Sequence, residues 1–168
     1  MSSKHSQYMQ EALKEARTAL NKGEFPVGCV ITQDDSIIAR GHRTNSFNHA
    51  NELDHAEVSA LRSLFQEEKN SDSSPLTIYS TMEPCLMCFA TLILNNVRTI
   101  VYAYEDIMGG GTNLDFTSLP TLYREMEVAI VPHVLRQESL TLFKEFFSNP
   151  VTNYWPDSLL SQYTLDQP

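Results

Sequence analysis

The chain has 168 residues, enough for one domain with a full hydrophobic core, and its 42% hydrophobic content excludes a disordered polymer. No run approaches the ~20 apolar residues of a membrane helix, and the polar residues 1–10 lack the apolar centre of a signal peptide. A formal net charge of −9 argues against a phosphate backbone as partner, although Arg40, Arg43, Arg62, Arg98 and Arg124 leave room for a local basic patch.

Between residues 6 and 20, apolar groups recur at Tyr8, Met9, Ala12, Leu13, Ala16, Ala19 and Leu20, the spacing of a helix with one buried stripe. Asn21 and Gly23 stop it. Glu24-Phe25-Pro26 connects to two predicted strands, 27–32 and 36–39, which the Gln33-Asp34-Asp35 turn joins as a hairpin. Cys29 lies in the apolar run of the first strand and reads as a packed residue. Residues 41–54 are polar and irregular. A loop of that length is often functional in a compact domain, and the competing reading is a solvated connector.

His55-Ala56-Glu57 opens a second helical pattern through Ala56, Val58, Ala60, Leu61, Leu64 and Phe65, ending in Gln66-Glu67-Glu68-Lys69. After a loop at 70–75, a strand at 76–80 feeds Thr81-Met82-Glu83 and then Pro84-Cys85-Leu86-Met87-Cys88. Leu86, Met87, Phe89, Ala90, Leu92, Ile93 and Leu94 make the next helix apolar nearly all round, so it is covered by the sheet and other helices or by a second subunit. A homodimer is therefore expected.

A strand at 99–104 follows Asn95-Asn96. Glu105-Asp106-Ile107-Met108 and Gly109-Gly110-Gly111 form a loop whose glycines do not fit a phosphate-binding pattern. A short segment at 119–124, a strand at 127–131 closed by Pro132, and a helix marked by Leu140, Leu142, Phe143, Phe146 and Phe147 complete the pattern. The order suggests an α/β fold: a central mixed five-stranded sheet with helices on both faces. Residues 1–150 read as the domain, and 151–168 as a C-terminal tail containing Tyr154, Trp155 and Tyr163.

The chemistry lies in two short stretches. His55, Cys85 and Cys88 offer one nitrogen and two thiolate sulfurs, ligands that zinc takes. Three protein ligands leave a fourth tetrahedral position for water, which is the pattern of a catalytic zinc. Cys85 and Cys88 share one helix face, Pro84 is tolerated at a helix start, and a helix N-terminus favours thiolate. Glu57 is not needed as a ligand and is placed to take a proton from the water and hand it on. The rival readings of Cys-x-x-Cys are a redox pair, or half of a structural zinc site with His42, His49 or His133 as a further ligand. None of those histidines has a motif around it.

His-x-Glu followed by Pro-Cys-x-x-Cys is the signature of zinc-dependent deaminases, and from about residue 9 to 147 the chain resembles the cytidine deaminase superfamily. Phe25-Pro26-Val27-Gly28, His55-Ala56-Glu57 and Glu83-Pro84-Cys85-x-x-Cys88 are similar to the branch holding tRNA adenosine deaminases, guanine deaminases and fungal-type cytosine deaminases. The resemblance implies a three-layer α/β/α fold, dimers or larger assemblies, zinc on His55, Cys85 and Cys88, and Glu57 as proton shuttle. It departs at one point. Where the branch has an Asn that contacts the base, soon after the glycine ending the second strand, this chain has Gly41-His42-Arg43, with Asn45 two residues on as the candidate replacement. The tail also looks longer than in a typical tRNA adenosine deaminase.

The expected activity is hydrolytic deamination of a nucleobase or nucleoside with release of ammonia, a hydrolase acting on C–N bonds of cyclic amidines. The charge of −9 favours a free base or nucleoside. The alternative is a tRNA wobble adenosine deaminase, whose base would flip into the same pocket. From another class, the alternative is an inactive zinc-stabilised accessory or binding subunit. Two cysteines assigned to metal fit a reducing cytoplasm. The pocket walls are expected at Phe25 and Pro26, Asn45, Glu105 and Asp106. Tyr154 and Trp155 either cover its mouth or pack on the surface.

Overall fold

The computed structural model describes residues 3–47, 51–67 and 73–168. Helix α1 (Lys4–Asn21) starts where the Ser3 hydroxyl accepts from the Ser6 N–H. Strands β1 (Gly28–Gln33) and β2 (Ser36–His42) form the hairpin. Its two-residue turn needs positive φ, and Asp34 and Asp35 supply it at 45° and 66°. Helix α2 (Ala56–Gln66), strand β3 (Leu76–Met82), helix α3 (Leu86–Leu94) and strand β4 (Val97–Tyr104) follow. A 3-10 turn (Phe116–Ser118), a short helix α4 (Thr121–Arg124), strand β5 (Ala129–Val131) and helices α5 (Arg136–Phe147) and α6 (Leu159–Asp166) complete the chain.

The sheet order is β2-β1-β3-β4-β5. β1 is antiparallel to both its neighbours, and β3, β4 and β5 are parallel. This is the mixed five-stranded sheet with helices on both faces that the order of elements predicts. Alternation along the strands divides the core. Val30, Tyr79 and Val101 meet Met9 and Ala12 of α1 on one face. Cys29, Ile31, Ile78 and Ile100 meet Ala60 and Leu64 of α2 and Phe89 and Leu92 of α3 on the other. Phe143 of α5 joins that second cluster, with ring centroids 5.2 Å from Phe25 and 5.2 Å from Tyr104.

Two glycines set how closely the helices approach. A Cβ on Gly28 would lie 2.1 Å from the Ala16 nitrogen of α1. One on Gly41 would lie 2.3 Å from the Ala56 carbonyl oxygen and 2.7 Å from the Ala60 nitrogen. The second contact presses the first turn of α2 against the end of β2, and so fixes where His55 and Glu57 stand.

Several expectations shift. β2 runs on to His42, so Gly41 and His42 are strand and not loop. β5 is only three residues long and β4 begins at Val97. The expected end of α2 at Glu68 and Lys69, the loop start at Asn70 and the candidate ligand His49 lie outside the described residues. α3 buries Cys88, Phe89, Leu92 and Ile93, but Leu86 and Leu94 are 55% and 50% exposed. The tail contains a helix that apolar spacing does not reveal, because its buried face is Leu160, Ser161 and Thr164. Ser158 caps it, accepting from the Ser161 N–H. The tail is fastened to the domain. Tyr104 and Thr164 hydroxyls lie 3.0 Å apart, Tyr163 donates to Glu105 at 2.7 Å, and Arg136 donates to Gln167 at 2.9 Å. No helix among the described residues is long and apolar enough to cross a membrane.

Candidate active site

His55 and Cys85 are the N-cap residues of α2 and α3, and neither uses its side chain to cap. Both side chains are therefore free to turn into the gap between the two helix starts. His55 Nδ1 lies 3.6 Å from Cys85 Sγ and 3.4 Å from Cys88 Sγ. A tetrahedral zinc with Zn–S of ~2.3 Å and Zn–N of ~2.0–2.1 Å sets nitrogen–sulfur separations of about 3.6 Å, so these residues fit the ion. The three ligand atoms lie within 4.8 Å of one another, the one such group among the described residues. Of the proposed further ligands, the two within the described residues stand elsewhere. His42 pairs with Glu15 at 3.1 Å, and His133 lies 3.6 Å from Glu105. Cys29 is buried in β1 as a packed residue.

The electrostatics favour a thiolate at Cys85. The hydrogen bond from Cys88 holds Cys85 down at about 4, with His55 assisting against the effect of burial. Cys88 is pushed up by sharing with Cys85 and by burial. Burial pulls His55 down, but hydrogen bonds to Cys85 and Glu52 outweigh it and lift it to about 9.

Glu57 is 3% exposed at the first turn of α2. Ser80 Oγ donates to its Oε1 at 3.1 Å, and Cys88 Sγ lies 3.5 Å from its Oε2. Burial raises its carboxyl above the ordinary range, His55 opposes that, and Cys85 adds to it. A carboxyl so placed lies beside the His-Cys-Cys cluster.

Glu83 pins the loop beyond β4 over the cysteine motif. Its carboxylate accepts from Asp106 N–H at 3.1 Å and from both the backbone and the hydroxyl of Thr112. Gly111 N–H donates to Pro84 at 2.9 Å. A Cβ on Gly110 would meet the Glu83 carboxyl at 2.5 Å. Gly110 and Gly111 thus let this loop lie against Glu83 and Cys85.

A cavity of about 410 Å³ opens beside the cluster. That is room for one base or nucleoside, near the lower end of small-molecule sites. Of the sequence candidates, Phe25, Asp106, Tyr154 and Trp155 line it, together with His55, Glu57 and Cys85. Pro26 is not among its lining residues. Asn45 and Glu105 are not among its lining residues. Asn45, at φ 58°, turns its amide to Asp54 at 2.6 Å, and Glu105 is held by Arg136 at 2.8 Å and by Tyr163. Both find charged or hydroxyl partners outside the cavity wall, so position along the chain misleads.

Sequence reasoning missed Arg43, Glu52 and Leu160 as lining residues. Arg43 is 2% exposed and donates to Asn51 O at 2.7 Å and Glu52 at 3.3 Å, while its Nε has no hydrogen-bond partner among the described residues. An Arg in a polar loop ordinarily faces water. The one signal was its place two residues after Gly41, at the end of a strand that leads to the site.

The three-layer fold and the His-Cys-Cys cluster with a buried carboxylate define the zinc-dependent deaminase class. The sequence pattern of the cytidine and deoxycytidylate deaminase zinc-binding region matches residues 2–104, and the chain belongs to that family. A tRNA-specific adenosine deaminase of Streptococcus pyogenes serotype M18 is 33% identical over 141 residues, covering 83% of this chain and 87% of its own length. One from Bacillus subtilis is 32% identical over 142 residues, covering 83% and 86%. A structure solved in work on A-to-I editing by tRNA:A34 deaminases at the wobble position superposes with a TM-score of 0.68 at 31% identity, over 81% of this chain and 98% of that one. A guanine deaminase from Nitrosomonas europaea shares the fold, with a TM-score of 0.67 at 20% identity over 84% and 83%. The chain is a zinc-binding hydrolytic deaminase.

Proposed function

We propose that the chain deaminates adenosine in tRNA to inosine. The observation that carries this is the match to tRNA-specific adenosine deaminases, about one third identical across 83% of the chain, through both motifs. In this reading His55, Cys85 and Cys88 hold zinc, which supplies a Lewis acid and a water acidified toward ~7. Glu57 would take a proton from the attacking water and pass it to the ring nitrogen as the C–O bond forms at the carbon bearing the amine. It would then carry the proton of the added hydroxyl to the amine as the C–N bond breaks and ammonia leaves. Phe25 and Trp155 flank the base, and Asp106 faces its donors. The deaminase domain is residues 1–150, and the 151–168 segment packs on it. The two thiolate ligands suit a reducing cytoplasm.

A second reading, deamination of a free base or nucleoside, is favoured by the C-terminal segment. Tyr154, Trp155 and Leu160 of that segment line the cavity, so a substrate there meets side chains from outside the matched residues 2–104. Arg43 adds a buried donor suited to a carbonyl or ring-nitrogen acceptor on a small substrate. The charge of −9 points the same way. An inactive accessory role leaves the buried Glu57 without a use.

Ammonia release from zinc-loaded protein separates the readings. The panel is a tRNA anticodon stem-loop against adenine, guanine, cytosine and their nucleosides. Inosine formed in the stem-loop, with the free compounds inert, supports the first. Turnover of a free base alone overturns it in favour of the second. A homodimer through α3 belongs to the same proposal, because Leu86 and Leu94 leave apolar surface uncovered in one chain. Light scattering at micromolar concentration should give twice the chain mass, and a monomer there contradicts it.

A further inference from the structure

The carboxylate of Glu52 is a meeting point of three elements. Its Oε2 accepts from His55 Nε2 at 2.9 Å, from Tyr154 Oη at 3.0 Å and from Arg43 Nη2 at 3.3 Å. Its side chain is 49% exposed, so these donors are what hold it in place. His55 therefore presents two different edges. Nδ1 faces the cysteine sulfurs, and Nε2–H donates to Glu52. A metal-ligating histidine needs such a partner on its second nitrogen, which fixes the tautomer and the ring orientation.

Tyr154 comes from far along the chain, in the C-terminal segment and outside the matched residues 2–104. It is itself held firmly. Its ring centroid is 5.0 Å from that of Phe25, and the Arg43 guanidinium carbon lies 5.5 Å above its face. The face contact is a cation–π arrangement. Arg43 is anchored in turn by its backbone N–H on Val27 O at 2.8 Å.

We propose that Tyr154 is a positioning residue for the zinc site. Through Glu52 it holds His55 with Nδ1 turned to the metal, which makes the C-terminal segment part of the metal centre and not only a wall of the cavity. This rests on the zinc assignment. It differs from a packing role, because a tyrosine that only fills space would be replaced by phenylalanine at no cost to the metal.

The test is zinc release from full-length, zinc-loaded protein into a chromogenic chelator, with zinc stoichiometry measured first. Glu52→Ala should release zinc roughly 10–100-fold faster, the usual effect of losing a ligand's outer partner. Tyr154→Phe, which keeps the ring, should release it several-fold faster. Because both act through one carboxylate, the double variant should release zinc no faster than Glu52→Ala alone. Tyr163→Phe is the control. It removes a tail hydroxyl aimed at Glu105, and should lower thermal stability with zinc release unchanged. Wild-type release rates in Tyr154→Phe overturn the proposal, as do independent, multiplying effects in the double variant. Wild-type protein that binds no zinc overturns the metal assignment itself, a separate and earlier failure.

Discussion

Glu57 sits in surroundings that resist its charge, with Ser80 as its hydroxyl donor and two metal ligands beside it. Burial favours the protonated form, which suits a group that must both accept and return a proton near neutral pH. Glu57→Gln preserves the shape and the Ser80 contact. It should keep about one zinc per chain and lose about 10²–10⁴-fold in turnover, read as kcat with metal content measured on the same sample. A rate near wild type would assign the shuttle to another group. Cys85→Ala acts differently, because zinc-binding energy is also folding energy. Zinc should be lost and the melting temperature should fall. Retained zinc with only slower turnover would contradict the ligand assignment.

At the scale of elements, the site depends on how closely α2 lies on the end of β2. Gly41 has no Cβ, and one placed there would overlap the Ala56 carbonyl. Gly41→Ala must push the first turn of α2 away from the strand. The expected cost is about 1–3 kcal/mol of stability, the usual range for overpacking. Turnover should fall further than stability explains, because that turn carries Glu57 next to His55. Gly23→Ala provides the contrast. Gly23 has φ +76° and nothing within 4 Å of a Cβ, so the variant should lose about 1 kcal/mol from backbone strain and keep its turnover per folded molecule. Chemical denaturation and steady-state rates on both variants separate the two effects. Equal turnover in the two would show that helix placement does not govern the site.

Across the whole molecule, Glu105 ties β4 to α5 and α6. Burial alone would raise its carboxyl, but the Arg136 guanidinium and the Tyr163 hydroxyl overrule that and bring it to about 2. The folded value lies below the unfolded one. The contribution is therefore fully present above about pH 4.5 and is lost as pH falls toward about 2. At 1.36 kcal/mol per unit the shift sets an upper bound of about 3 kcal/mol, and solvent screening of this partly exposed pair brings it to the order of 1–2 kcal/mol. Glu105→Gln should lower the urea midpoint at about pH 6, and the gap to wild type should narrow by about pH 3. A gap independent of pH would mean that the contact acts through packing and not through charge.

The sequence alone determined the metal triad, the carboxylate beside it, and the order of the main helices and strands as far as α5. Those rest on short-range facts. Cys85 and Cys88 share a helix turn, His55 and Glu57 open another, and strand and helix periods show in apolar spacing. It also made Phe25, Asp106 and Trp155 visible as candidates near the pocket. Only the tertiary structure decided which polar residues face the cavity. In the 41–54 stretch Arg43 and Glu52 turn inward while Asn45 turns to Asp54. Adjacent polar residues carry no period that separates these outcomes. The tail was opaque for a related reason. The buried face of α6 includes Ser161 and Thr164, and Tyr154 meets Glu52 across 102 residues of chain. Local pattern records which side chains avoid water, whereas partners so far apart in sequence are chosen by the folded surface that brings them together.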